Sequence, residues 1–156
     1  MRTKILIPKT INPTKRVQIA NAIITHIQDR TFAGLDKNNS PFPKYSKEYA
    51  AIKGSTDVDL VLSGEMMDSI KLLSSKSGEL LIGFDKSDKA LNGKAEGNIK
   101  GSYGGDPDKD KARDFLGIDQ DELDAIVSAF EEDVQISQEE IDQLTKEILD
   151  DMLDNL

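Results

Sequence analysis

The sequence predicts an α+β domain: a small, mainly antiparallel sheet with an N-terminal covering helix and two C-terminal helices. Three observations carry that reading. Apolar residues alternate with a period of two in VDLVL at 58–62 and in ELLIGF at 79–84, as strands with one buried face require. They recur three and four apart from Val17 to Ile27 and from Leu123 to Leu153, the spacing of amphipathic helices. Turn and cap residues separate these runs: Asn12 with Pro13, Ser63 with Gly64, Ser77 with Gly78, and Asp119.

Composition bounds what such a domain can be. A chain of 156 residues suits one domain, and 37% apolar residues is modest for building a core. With no tryptophan and 5% aromatics, the core must be mostly Ile, Leu, Val and Met, so neighbouring copies are expected to complete part of the apolar surface. The absence of cysteine removes disulfides, thiolate metal ligands and cysteine nucleophiles, and fits a reducing compartment. The opening MRTKILIPKTI loses its apolar run at Pro8 and Lys9, too soon for a signal-peptide core or a membrane span, so the chain reads as soluble.

Charge is unevenly placed. The net charge is −9, yet residues 119–156 hold 14 of the 29 acids and one of the 20 basic residues, which leaves the first 118 near +4. A body of residues 1–134 is therefore expected to carry an acidic amphipathic extension over 135–156. That balance opposes binding to a phosphate backbone, where affinity comes from Lys and Arg displacing counterions, and favours basic protein surfaces or metal ions.

Taken in order, Met1–Pro8 reads as a short strand or arm with Ile5 and Ile7 on one side and Leu6 on the other. Asn12 as cap and Pro13 in the first turn open a helix to about Arg30, with Val17, Ala20, Ile23, Ile24 and Ile27 facing the core. The lone histidine, His26, reads as structural, since no catalytic partners stand near it in sequence. Gly34, Asn38, Asn39, Pro41 and Pro43 predict a surface loop. Ser46 then caps a brief helix that Gly54 ends. Val58–Ile70, VDLVLSGEMMDSI, is the stretch the rest is organised around: a strand, a cap at Ser63, and a short helical turn with Met66, Met67 and Ile70 inward.

Beyond it, KLLSSK and ELLIGFD form a hairpin turning at Ser77 and Gly78, with Leu80, Ile82 and Phe84 on one face. Ser87–Glu96 reads as a short helix capped by Ser87 and stopped near Gly97, and a Gly-rich loop from Gly97 to Asp110 follows. RDFLGI, 113–118, returns Phe115, Leu116 and Ile118 to the core. Asp119 with Glu122 and Ser137 with Glu140 are two capping-box pairs, hence two terminal helices. The second carries Ile141, Leu144, Ile148, Leu149, Met152 and Leu153 opposite a face of Asp and Glu.

Motifs for chemistry fail one by one. Asp106, Asp108 and Asp110 have the alternate spacing of a calcium loop, but Lys111 stands where glycine is needed and Gly117 where the bidentate Glu belongs. GSYGGD lacks the Lys and the Ser or Thr of a phosphate-cradling loop. Asp57 and Asp59 share a strand face with no histidine near them, as many solvent-facing strands do. The sequence therefore predicts no enzyme, no catalytic residue, no cofactor and no metal ligand.

The order PFPKYSKEYAAIKG, VDLVLSGEMMDSI, a hairpin ending in ELLIGFD, a Gly-rich loop and RDFLGI before an acidic helix resembles the virion-morphogenesis and tail-completion family of tailed bacteriophages. The resemblance spans roughly residues 40 to 133 and rests on Leu60, Leu62, Ser63, Gly64, Ser69, Ile70, Arg113, Phe115, Leu116 and Gly117. Asp114 stands where many relatives have Pro, and the helix from Ser137 runs past the usual end. The resemblance implies a structural virion component at the neck, joining head to tail as a homo-oligomeric ring, made in the host cytoplasm and meeting connector, tail-terminator or tail-tube proteins. It implies no membrane and no sequence-specific nucleic acid. Tyr103 in the Gly-rich loop and the stripe Ile141, Leu144, Ile148, Leu149, Met152 and Leu153 are the expected partner-facing residues. The competing expectation is an acidic adaptor or inhibitor that mimics nucleic acid on a basic host protein.

Overall fold

The computed structural model describes residues 1–54, 64–102 and 105–155, apart from the side chains of Lys53 and of 132–140. The fold is α+β, with a three-stranded antiparallel sheet and mostly helical remainder. In chain order the elements are β1 (Arg2–Leu6), α1 (Pro13–Phe32), α2 (Lys47–Lys53), α3 (Glu65–Asp68), β2 (Lys71–Lys76), β3 (Glu79–Gly83), α4 (Lys89–Lys100) and α5 (Gln120–Asp154). The strand expected at 58–62, with Leu60, Leu62 and Ser63, lies outside the described residues, as does Tyr103.

The strand order is β1-β3-β2, with Ile5 opposite Leu80, Thr3 opposite Ile82 and Leu72 opposite Ile82. Period-two alternation decides the faces: Ile5, Ile7, Leu80 and Ile82 are buried, whereas Leu6 between Ile5 and Ile7 is 69% exposed. The Ser77–Gly78 turn forms as the sequence expects, Gly78 supplying a φ of 82°. A register shift between Leu72 and Ser74 adds a bulge to β2.

Helix α1 covers this sheet. Its Asn12 side chain accepts from the Lys15 amide and Pro13 stands in its first turn, as read from the sequence. The buried face differs in detail: it holds Ile19, Ala20, Ile23, Ile27, Arg30 and Thr31, with Val17 44% exposed and Ile24 half-covered. At 100° per residue Val17 and Ile24 fall at the rim of that face, and Ile19 on it. Gln28 reaches across to donate to the Met67 carbonyl at 3.0 Å, tying α1 to α3.

Three helix ends correct the sequence reading. The N-cap of α3 is Gly64, at φ 77°, rather than Ser63. Asp88, not Ser87, caps α4 by accepting from the Leu91 amide, because Ser87 instead donates through its amide and hydroxyl to Asp85. Helix α4 also runs through Gly97 and stops at Gly101, whose φ of 67° suits a left-handed cap. A side chain at Gly101 would collide with the Asp108 carbonyl and the Lys111–Ala112 backbone, which close the following loop onto the helix end. The two expected terminal helices are successive parts of one helix, α5, because Val134–Ser137 contains neither Gly nor Pro to end it.

Candidate functional site

The segment Arg113–Gly117 is built inward. The Arg113 guanidinium lies 4.8 Å from the Tyr45 ring centre, and it donates to the carbonyls of Pro43 at 3.0 Å and Lys44 at 3.1 Å. The Arg113 amide donates to the Asn98 carbonyl. Asp114 pairs with Lys37 at 2.9 Å, while its carbonyl accepts from the Lys37 amide, also at 2.9 Å. Phe115 and Leu116 are buried, Phe115 meeting Phe84 edge to face at 6.3 Å. At Gly117 an added Cβ would press on the Lys37 side chain at 3.0 Å. Arg113 thus fastens the 41–45 loop, and Asp114 with Gly117 fits under Lys37.

Arg30 of α1 holds the same segment from below. Only 4% exposed, it donates through its two terminal nitrogens to the carbonyls of Gly117, at 2.8 Å, and Phe115. Its Nε is buried and makes no hydrogen bond among the described residues. Burial pushes the guanidinium below its ordinary value, opposed by the nearby carboxylates of Glu122, Asp36, Asp114 and Asp119. Periodicity alone shows Arg30 only as the last residue of a helix; its two carbonyl partners lie 85 and 87 residues away.

His26 does have partners in space. Its Nε2 lies 2.7 Å from Glu122 Oε2, and the other oxygen of Glu122 accepts from Asn39 Nδ2 at 2.9 Å. Asn39 also donates to Asp119, whose other oxygen accepts from the Glu122 amide as the helix cap. The capping bond at Asp119 forms as expected, but the Glu122 carboxylate turns to α1 and the 36–40 loop. The group joins three segments, α1, the 36–40 loop and the start of α5.

Of the other residues singled out, Ser69 donates its hydroxyl to the Glu65 carbonyl at 2.7 Å, and Ile70 is buried. Asp106, Asp108 and Asp110 do not converge: an Asp108 oxygen accepts from the Asp110 amide and Lys111 lies 3.9 Å away. Among the described residues no group of three or more His, Asp or Glu is placed to hold a metal ion. A groove of about 410 Å³ runs between the end of β1 and the start of α5, floored by Leu6, Ile7, Leu123 and Val127 and edged by Asp124 and Glu131. No helix among the described residues is long and apolar enough to cross a membrane.

The remaining feature is the distal part of α5. Every described residue from 141 to 155 is exposed, and Ile141, Leu144, Ile148, Leu149, Met152 and Leu153 stand between 54% and 66% exposed. Single exposed apolar residues are ordinary, whereas here six large ones stand exposed on one helix within thirteen positions. The proximal part buries Leu123 and Val127 against the body. A 35-residue helix measures about 52 Å, so its distal half extends well beyond the turns that pack. Comparison with family models, with curated proteins and with solved structures returned no match to this chain.

Proposed function

We propose that this chain is a structural virion protein of a tailed bacteriophage, acting in tail completion and head-to-tail joining at the neck through oligomeric contacts. One structural observation supports it most: the body packs its own core, while the distal half of α5 leaves six large apolar side chains uncovered. A surface of that kind suits assembly with other subunits. The segments VDLVLSGEMMDSI and RDFLGI, in that sequence along the chain, supply the bacteriophage part of the reading. Arg113, Phe115, Leu116 and Gly117 act in it as an internal brace that keeps the outer surfaces in register, with no turnover. Copies pack side by side through the body, and the long helix reaches a neck neighbour.

Electron microscopy of particles assembled without the protein tests this. Full heads separated from finished tails are expected; tails of abnormal length would move the role to tail termination. Infectious particles found by mass spectrometry to contain no copies would overturn the proposal. The acidic helix also favours a second reading, an adaptor that mimics nucleic acid on a basic host protein. Deleting 135–156 separates the two: a mimic loses all activity, whereas a neck protein keeps the fold of its body.

A further inference from the structure

We infer that the distal half of α5 docks in an apolar groove with a basic rim on a different protein, and not on a second copy of itself. The inference rests on the assembly reading above and names the chemistry of the partner.

The stripe and its borders decide the occupant. At 100° per residue, Leu144, Ile148, Ile141 and Met152 fall within one narrow arc, and Leu149 and Leu153 widen it on one side. On the other side Asp151 and Glu147 border the arc, with Asp154 behind them. Residues 141–155 hold five acids and one base, Lys146. An antiparallel second copy would set the Glu147 and Asp151 edge against itself. A parallel copy would offer that edge only Lys146, with Asp142 on the same side. Either pairing brings two acidic helices together, and like charges at such positions oppose association.

A groove floored by apolar side chains and rimmed by Lys or Arg meets both demands. It removes the stripe from water and neutralises the Glu147 and Asp151 edge. The groove between β1 and α5 of this chain does not qualify, because Asp124 and Glu131 edge it. This mode is an amphipathic helix laid in a groove, with anchors at Ile141, Leu144, Ile148 and Met152.

The test uses the full-length protein and two fluorescent synthetic amphipathic helices as probes, one of Leu and Lys and one of Leu and Glu. The Leu/Lys helix is expected to bind, more weakly at higher salt, and the Leu/Glu helix not to bind. Replacing Leu144, Ile148 and Met152 together by Ala keeps helix propensity and every charge, and is expected to weaken binding at least about tenfold. Glu147→Gln with Asp151→Asn is expected to flatten the salt dependence. Equal binding by the alanine variant would reduce the contact to bulk charge and overturn the inference. So would a dimer in sedimentation that the alanine variant abolishes, or tighter binding to phosphatidylcholine vesicles than to the Leu/Lys helix. Probe binding is read on purified protein and particle content on virions, so the two proposals fail separately.

Discussion

Replacing Arg30 by Met is expected to destabilise the body by about 2–4 kcal/mol. The guanidinium is 4% exposed and serves two buried acceptors, the carbonyls of Phe115 and Gly117. Met fills the volume of the aliphatic stem, so cavity formation adds little. What remains is two carbonyls without donors, each costing roughly 1–3 kcal/mol. Against this, the variant no longer desolvates a cation whose Nε makes no hydrogen bond among the described residues, which offsets part of the loss. For a domain with a stability of about 5–15 kcal/mol the result is a large fraction of the total. In urea unfolding, followed by tyrosine fluorescence so that the exposed part of α5 contributes little, the midpoint should fall by about 1–2 M with the slope unchanged. Arg30→Lys, which keeps the charge but reaches one carbonyl at a time, should fall between. A loss below about 0.5 kcal/mol would refute the argument that these two bonds hold the 113–117 segment.

Further outcomes follow from the same structure. Gly101→Ala should cost more than about 2 kcal/mol in the same assay, because a left-handed residue with a Cβ is strained by roughly 1–2 kcal/mol and the new atom also meets the Asp108 carbonyl; Gly93→Ala, where nothing stands nearby, should stabilise slightly. The Asp85 carboxyl is held down to about 2 from an ordinary 3.8, first by the Ser87 amide and hydroxyl and then by Lys71. Its contribution to stability is therefore present above pH 3.8 and lost as pH falls through about 2. Carbon-detected carboxyl NMR should show that midpoint, and Ser87→Ala should move it upward; an unchanged midpoint in the variant would assign the shift elsewhere.

Local signals were legible where a residue's role is set by its neighbours in the chain. The Asn12, Ser46 and Asp119 caps, the Gly54 stop and the Ser77–Gly78 turn are short-range hydrogen-bonding and backbone matters, and each falls where its residue type predicts. Ser87 shows the limit of that reasoning. Ser87 and Asp88 are both good caps, and the choice went to Asp88 because Asp85 engages Ser87. The same holds for Glu122, whose capping-box position predicts a bond back to Asp119 but whose carboxylate faces His26 and Asn39. Ser137 and Glu140 mimic a helix start where no Gly or Pro forces a stop, so the two expected terminal helices are one.

By itself the sequence determined the class of the fold, the buried face of β3 and the stripe on the last helix, since periods of two and 3.6 assign side chains to faces before any packing occurs. Tertiary structure alone decided that β1 pairs with β3, that Arg30 secures the carbonyls of Phe115 and Gly117, and that His26, Asn39 and Glu122 meet. Each of these joins residues far apart in the chain through directional bonds, and a directional bond is set by where the packed elements come to rest, which no local pattern encodes.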